Sequence, residues 1–149
     1  MFVDSQTKKL TVPEIVAIAT KQTQSQYSPA AVLASVYEEL KQPQTYSIIE
    51  GNTLFIIHKG KGRNGMFRAL NADVPAKYLN NCLVFAKAVY QLGFDNIITQ
   101  FKDPSLVNIF KFVEKNRQKV NPDMGFNVRK AENGDFVVSV KLGPERAGE

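Results

Sequence analysis

The side chains that could take part in acid–base chemistry are few and widely spaced. The chain has one histidine, His58, which follows the apolar run TLFII and is expected at the end of a strand near the centre of a sheet. Glu50, Asp95 and Glu114 are the acidic candidates. No pair of these residues has a spacing that requires acid–base catalysis, so His58 and Glu50 remain separate candidates for a general base.

Cysteine and histidine are too scarce for a disulfide or a usual zinc site. Cys82 is the only cysteine and His58 the only histidine, whereas zinc sites draw on three or four such ligands. Cys82 lies within CLVFA, on the apolar side of a predicted helix. We therefore expect a buried, unreactive thiol and no metal.

The formal net charge of +5 favours contact with acidic partners, including nucleic acid. Most basic residues are dispersed, and the one cluster consists of Lys59, Lys61, Arg63 and Arg68. The tract GKGRNG within it resembles a phosphate-binding loop, but a helix that began at Met66 would meet Pro75 in its interior, at a cost of ~3 kcal/mol or more. A solvated hairpin tip is the preferred interpretation.

Four helical and six strand patterns position these residues. Thr11 and Glu14 form a capping box that predicts a helix over residues 12–21, and Ser28-Pro29 opens a second helix that Pro43 ends. Strands are predicted over residues 46–50, 53–58 and 66–70. Their tight connections imply an antiparallel meander.

The second half of the chain continues with helix, strand, helix and hairpin. Asp73 is predicted to cap a long helix that carries Pro75 in its first turn. A strand follows over residues 96–101, and Asp103 with the proline after it opens the last helix. Strands over 126–131 and 136–142 are predicted to pair through Asn133-Gly134, a type I′ turn signal. Residues 1–4 could add an edge strand.

The resulting order, ααβββαβαββ, predicts one α+β domain over residues 1–149 around a mixed, mostly antiparallel sheet. Residues 1–10 and 143–149 are expected to be extended tails. The first ten residues lack the apolar segment of a signal peptide, and no apolar run reaches the ~20 residues of a membrane helix. We therefore expect a protein made and used in the cytoplasm, or packaged there into a larger assembly.

This order of elements, with Gly125-Phe126 after the last helix, resembles the GNAT superfamily of acetyltransferases. The resemblance implies acetyl-CoA, held at a loop of the form Arg/Gln-x-x-Gly-x-Gly/Ala before the long helix. The corresponding stretch of this chain, residues 71–77, has no glycine, and Pro75 lacks a donor N–H while Asp73 adds a negative charge. We therefore expect no bound cofactor.

An active enzyme would need an atypical cofactor site. Backbone groups of Leu70, Asn71, Ala72 and Asp73 would then hold the pantetheine arm. The phosphates of acetyl-CoA would rest on Lys77 and the helix dipole, and Asn108 could add an amide contact. Many relatives protonate the departing thiolate with a tyrosine in the final helix, where this chain has only the phenylalanines of VNIFKFVEK.

The segments RALNAD, TQFKDPSLVNIFK and MGF are also similar to small GNAT-like proteins encoded by tailed bacteriophages. That resemblance implies a non-catalytic, virion-associated or accessory protein that binds other subunits, through exposed aromatic residues (Tyr27, Tyr46, Tyr78) and the basic hairpin. Two alternatives stay open. One is an acetyl-CoA-dependent N-acetyltransferase, and the other is a small basic nucleic-acid-binding module that uses Lys59, Lys61, Arg63 and Arg68.

Overall fold

The structure is a computed structural model that describes residues 9–23 and 26–144. The edge strand expected over residues 1–4 and most of both predicted tails lie outside this range. Within it, no helix has the combination of length and apolar composition that crossing a membrane requires.

The described residues form four α-helices: α1 (Val12–Gln22), α2 (Pro29–Leu40), α3 (Pro75–Gln91) and α4 (Val107–Lys115). The predicted capping box of α1 is formed, because Glu14 N donates to Thr11 Oγ1 at 3.3 Å and Thr11 N donates to Glu14 Oε1 at 2.8 Å. The predicted cap of α2 is also formed, with Ser28 Oγ accepting from Ala31 N at 3.2 Å. Local capping chemistry therefore fixes where both helices begin.

In the part of the chain that the structure describes, six strands form one mixed sheet in the order β1-β2-β3-β4-β6-β5. They are β1 (Thr45–Glu50), β2 (Thr53–Lys59), β3 (Asn64–Asn71), β4 (Asn96–Phe101), β5 (Gly125–Lys130) and β6 (Phe136–Lys141). Only β3 and β4 pair in parallel; the other neighbours are antiparallel. The predicted α+β domain with a mostly antiparallel sheet is confirmed.

The sheet is covered on both faces, which explains why β2 reads as a continuous apolar run. Phe55 and Ile57 pack into the core under α3 and α4, and the alternate residues Leu54 and Ile56 pack into the core under α1 and α2. All four side chains are almost completely buried. β2 thus contributes side chains to both cores.

Two local predictions were wrong. The β5–β6 connection is not a type I′ turn, because Gly134 has a φ of +89° but Asn133 has no positive φ. Instead, Asn133 Oδ1 accepts from Asp135 N at 3.0 Å, and Gly134 N donates to Ala131 O at 3.0 Å. The side-chain bond of Asn133 favours an ordinary turn in a longer loop.

The second concerns the cap of α3. Val74, not Asp73, precedes the first turn of α3, and no side chain caps that helix. The predicted cap at Asp103 is formed, because Asp103 accepts a hydrogen bond from Ser105 N at 3.0 Å, and the 3-10 turn that it caps, Pro104–Leu106, leads directly into α4. The carboxylate of Asp73 binds partners from other parts of the chain instead.

Candidate functional site

The centre of the sheet opens where its two parallel strands stop pairing. β3 and β4 are in register only at Asn64–Asn96, Gly65–Ile97 and Met66–Ile98. Beyond these three pairs, β3 and β4 no longer pair with each other. Unpaired strand edges present N–H and C=O groups that can bind an extended chain.

The gap between the strands leads into an apolar cleft of about 180 Å³, which we call the splay cleft. Phe67 and Ala69 of β3 line one side, and Thr99 and Phe101 of β4 line the other. Two groups of aromatic rings close it. Phe55 stacks on Phe85 at 4.1 Å with Phe67 at 5.3 Å from Phe85, and Phe110 lies 5.9 Å from Phe101 and 6.0 Å from Phe126. The splay cleft therefore suits an apolar group.

A larger cleft of about 730 Å³, which we call the helix cleft, lies between α1, α2 and β3. Its lining is rich in hydroxyl and amide side chains, including Thr20, Thr23, Ser35 and Asn71. The two clefts share four lining residues: Arg68, Ala69, Tyr78 and Leu106. The apolar splay cleft and the helix cleft, whose lining also carries hydroxyl and amide groups, therefore meet at the opening of the strands.

The loop between β3 and α3 is held by a polar network centred on Asp73. The carboxylate of Asp73 accepts hydrogen bonds from Asn52 N at 2.8 Å, Asn52 Nδ2 at 3.2 Å and Asn81 Nδ2 at 2.8 Å. Asn81 is itself buried and also donates to Thr53 Oγ1 at 2.9 Å. This loop is thus tied to the β1–β2 turn and to α3.

The same network takes up backbone donors of the loop. Ala72 N donates to Asn52 O at 3.0 Å, and Asp73 N donates to Asn71 Oδ1 at 3.0 Å. Gly51 makes the approach possible, because its φ is +57° and a Cβ there would lie 2.8 Å from Asp73 Oδ2. The loop therefore has two fewer N–H groups to offer a ligand.

The folded structure favours the ionised form of the Asp73 carboxyl. Partial burial acts to raise the pKa of Asp73, but the hydrogen bonds from Asn52 and Asn81, together with the charge of Lys77, outweigh it and lower the pKa. Lys77 is exposed in the first turn of α3. A fixed anion thus lies beside the N-terminus of α3.

His58 belongs to a second polar cluster, on the face of the sheet that carries α1 and α2. Its Nε2 lies 2.6 Å from Glu39 Oε2, and its Nδ1 lies 2.9 Å from Thr45 Oγ1. Arg68 binds the same carboxylate, with Nε 3.0 Å from Glu39 Oε1 and with a contact through Nη2. Burial acts to raise the pKa of Glu39, but the bonds from Arg68 and His58 outweigh it and lower the pKa.

The structure does not bring the two candidate bases together. His58 pairs with Thr45 at one end of the β1–β2 ladder, and Glu50 pairs with Thr53 at the other. Five residues separate the two rows, which is about 17 Å along a strand. Neither residue is in the lining of the splay cleft or of the helix cleft.

Tyr78, expected among the exposed aromatics, is half-buried at the junction of the clefts and close to Cys82. Burial and the neighbouring thiol raise the pKa of the Tyr78 phenol far above its usual range. Burial also raises the pKa of the Cys82 thiol to about 12, although its bond with Tyr78 acts in the opposite direction. Both groups are therefore neutral at pH 7.

The other candidate cofactor residues are dispersed. Leu70 and Asn71 line the helix cleft at the end of β3, whereas Asn108 is exposed on α4 and borders neither cleft. Gln100 lines the splay cleft, but its Nε2 donates to Asp135 Oδ2 at 2.9 Å.

The basic cluster divides into two parts. Lys59, Lys61 and Arg63 lie at the β2–β3 turn, where Lys59 Nζ donates to Gly62 O at 2.9 Å. Lys59 and Arg63 also border a shallow surface pocket with Tyr46, Leu92 and Phe94. Arg68 lies further along β3 and binds Glu39, so it belongs to the clefts and not to the turn.

Sequence reasoning missed the residues that complete these networks. Asn52 lies in the predicted connection between the first two strands, and Asn81 and Glu39 lie within predicted helices, but no functional role was predicted for any of them. A polar residue within the apolar pattern of a helix, such as Asn81 between Leu79 and Leu83, was the available signal. Nothing in the sequence indicated that Glu39 would reach both His58 and Arg68.

Three solved structures share this arrangement over nearly the whole chain. An aminoglycoside 6'-acetyltransferase type Ii matches with a TM-score of 0.61 and 11% identity, covering 91% of this chain and 92% of its own. The aminoglycoside 6'-N-acetyltransferase from Enterococcus faecium matches with a TM-score of 0.59 and 12% identity, covering 91% and 93%. The ribosomal-protein-S18-alanine N-acetyltransferase from Escherichia coli matches with a TM-score of 0.56 and 9% identity, covering 95% and 96%.

Sequence comparisons add no relative: no protein-family model matches the chain, and no curated protein matches it. None of the three structures above is described as a bacteriophage protein. At identities of 9–12% the structural likeness concerns the fold alone. The element order, the sheet with its splayed parallel pair and the three matches together identify the fold of this chain as that of the GNAT acetyltransferases.

Proposed function

We propose that this chain is a GNAT-fold protein that does not use acetyl-CoA and acts by binding a partner. The observation that carries the proposal is the carboxylate of Asp73, fixed by three hydrogen bonds beside the N-terminus of α3. In the family this chain resembles, that position receives the pyrophosphate of the cofactor. A fixed anion there repels a second one.

The donors of the loop support the same conclusion. The N–H groups of Ala72 and Asp73 are used by Asn52 and Asn71, and Pro75 has none. A pyrophosphate would have to displace these bonds and then pair with groups beside a carboxylate. Lys77 is the one basic side chain at the first turn, and Asp73 already offsets its charge.

The described residues also lack a suitable acid and base at the junction of the clefts. Phe110 faces the splay cleft without a hydroxyl, and the raised pKa of Tyr78 makes its phenol a weak proton donor. Both ring nitrogens of His58 are bound to side chains, which leaves neither available to an amine.

We assign the partner contact to the surface that Tyr46, Lys59, Arg63 and Leu92 form around the β2–β3 turn. Tyr46 is 46% exposed and Leu92 is 63% exposed, so apolar area lies directly beside positive charge. Such a surface suits an acidic protein partner. The resemblance to bacteriophage GNAT-like proteins makes another subunit of a virion assembly our first choice of partner.

A second candidate function is an acetyl-CoA-dependent N-acetyltransferase. The splayed strands favour it, because the unpaired edges of β3 and β4 could hydrogen-bond the amides of a pantetheine arm. The helix cleft would then receive the acceptor. A small nucleic-acid-binding module is the third candidate, and only the basic turn favours it.

The test is thermal unfolding with and without millimolar acetyl-CoA. A ligand at about one hundred times its dissociation constant adds about 2.7 kcal/mol to the stability of the native state, which raises the Tm by about 5–10 °C at this size. We expect no shift for the natural sequence. A shift of that size, lost when excess free CoA competes, would contradict the proposal and favour the transferase.

The Asp73→Asn variant tests the physical reason, with Asp123→Asn as the matched control for charge. Asp123 is exposed and lies outside both clefts. If the charge of Asp73 excludes phosphate, acetyl-CoA should stabilise Asp73→Asn more than Asp123→Asn. The nucleic-acid alternative is tested separately by the salt dependence of single-stranded DNA binding, with and without alanine at Lys59, Lys61 and Arg63.

A further inference from the structure

We propose that the partner presents a short acidic segment, one aromatic side chain of which enters the surface pocket at the β2–β3 turn. We call this pocket the turn pocket, and its lining consists of Tyr46, Lys59, Arg63, Leu92, Gly93 and Phe94. The inference rests on the proposed function, because it names the part of the partner that meets the surface assigned above. It adds an aromatic anchor and neighbouring carboxylates to that contact.

The size and apolar lining of the turn pocket suit one aromatic ring. The pocket has a volume of about 210 Å³, whereas an apolar cavity of about 150 Å³ already takes up benzene. Phe94 is 5% exposed at its base, and the more exposed side chains of Tyr46 and Leu92 line its sides. Aromatic side chains that enter pockets of this kind contribute much of the binding energy of protein interfaces.

Backbone contacts hold the two sides of the turn pocket together. Asp95 N donates to Arg63 O at 2.8 Å, which joins the residue after Phe94 to the β2–β3 turn. The ring of Phe94 lies against Gly65 of β3, where an added Cβ would be only 2.8 Å from Phe94 Cε1. A surface that is already in place loses less conformational entropy on association, which favours binding of a short segment.

Two lysines determine the charge that the segment must carry. Lys59 Nζ donates to Gly62 O at 2.9 Å, and none of the described carboxylates forms an ion pair with it. An ammonium has three N–H donors, so Lys59 keeps donors and an uncompensated charge for a carboxylate. Lys61 is exposed on the same turn, whereas Asp95 is only 5% exposed. These cations outweigh the partial negative charge at the C-terminus of α3, which makes the rim of the turn pocket positive.

The experiment is an NMR titration of the full, isotope-labelled chain with three blocked peptides. They are the acidic Phe peptide (Glu-Glu-Phe-Glu-Glu), the acidic Ala peptide (Glu-Glu-Ala-Glu-Glu) and the basic Phe peptide (Lys-Lys-Phe-Lys-Lys). The acidic Phe peptide should shift the amide signals of residues 59–65 and 92–94 in a saturable way, with a dissociation constant of about 1 mM or lower. The acidic Ala peptide should bind about tenfold more weakly because it lacks the ring, and the basic Phe peptide about tenfold more weakly because its charge is reversed.

Two variants separate the anchor from the charge. Tyr46→Ser removes one side of the turn pocket and should weaken binding of the acidic Phe peptide by about fivefold. Its matched control is Tyr37→Ser, because Tyr37 is 44% exposed, against 46% for Tyr46, and lines neither cleft nor the turn pocket. Lys59→Glu should weaken the acidic Phe peptide and strengthen the basic Phe peptide. Lys21→Glu makes the same change of charge at an exposed position on α1 and should alter neither affinity by more than about twofold.

The peptide comparison on the natural sequence decides the inference even where a variant does not fold. Equal affinities of the two acidic peptides would overturn it, because charge alone would then hold the partner, and would leave the proposed partner contact standing. Equal or tighter binding of the basic Phe peptide would overturn the acidic class of partner. No saturable shift at residues 59–65 and 92–94 with up to about 5 mM acidic Phe peptide would overturn the assignment of the site. Stabilisation by acetyl-CoA would contradict the proposed function separately, whatever the peptides show.

Discussion

Replacing Asp73 by alanine should cause a large loss of stability for a partly exposed residue. Three hydrogen bonds end on its carboxylate, and one of them comes from Asn81, which is only 6% exposed. Hydrogen bonds to charged groups contribute about 1.5–3 kcal/mol, and a buried donor left without a partner costs about 1–3 kcal/mol. These contributions overlap, so we expect a total loss of about 3 kcal/mol.

Urea unfolding followed by circular dichroism measures this loss directly. With a slope of about 2 kcal/mol per molar urea, the midpoint should fall by about 1.5 M. The Tm should fall by about 6–12 °C, since 1 kcal/mol corresponds to about 2–4 °C at this chain length.

Asp123→Ala is the matched control, because it makes the same change of charge at an exposed site. A surface substitution of this kind should change the free energy of unfolding by no more than about 0.5 kcal/mol. If the free energies of unfolding of Asp73→Ala and Asp123→Ala differ by no more than about 0.5 kcal/mol, the hydrogen bonds of Asp73 do not stabilise the loop. The argument that a fixed Asp73 carboxylate excludes a phosphate group from the N-terminus of α3 would then be refuted.

The same contacts and their neighbours predict four further outcomes. Folding lowers the pKa of Asp73 from 3.8, so its charge stabilises the native state above pH 3.8 and this stabilisation is lost as the pH falls through the folded-state pKa. The difference in free energy of unfolding between the natural sequence and Asp73→Asn should therefore be smaller at pH 3 than at pH 6. Gly51→Ala should lower the free energy of unfolding in urea by about 1–3 kcal/mol, since the φ of Gly51 is +57° and an added Cβ would approach Asp73. Gly60→Ala is the control and should be tolerated, because φ is not positive there and an added Cβ would make only an ordinary contact at 3.5 Å. Phe85→Ala should cost about 3–5 kcal/mol, and a smaller loss would mean that the stacked rings can close the space left behind. Cys82, with its pKa raised to about 12, should react with a thiol reagent at pH 8 much more slowly than it does when the protein is unfolded in urea, and equal rates would show that the thiol is open to solvent.

Much of the fold follows from local patterns in the sequence. The capping box of Thr11 and Glu14 and the Ser28 cap mark helix starts by hydrogen bonds within four residues, which a sequence reveals directly. The apolar run of β2 and the tight connections on either side of it likewise indicated the antiparallel meander. Such signals depend only on neighbours along the chain.

The errors arose where a residue had a competing partner. Asp73 was assigned to a helix cap on its spacing from Pro75, yet Asn52 and Asn81, 21 and 8 residues away along the chain, bind its carboxylate instead. At Asn133 the side chain accepts a hydrogen bond from Asp135 N, and the turn does not adopt the type I′ conformation that Asn-Gly favours. Short-range propensity is weak compared with several well-placed hydrogen bonds.

The sequence by itself determined the order of elements, the lack of glycine in the loop before α3 and the scarcity of acid–base groups. The tertiary structure alone decided that β3 and β4 separate after three residue pairs, that Arg68 joins two clefts and that Glu39 binds both His58 and Arg68. The β3–β4 pairs and the contacts of Glu39 join residues at least 19 positions apart. Their geometry depends on how α2, the sheet and α4 pack together, which no local pattern in the chain encodes.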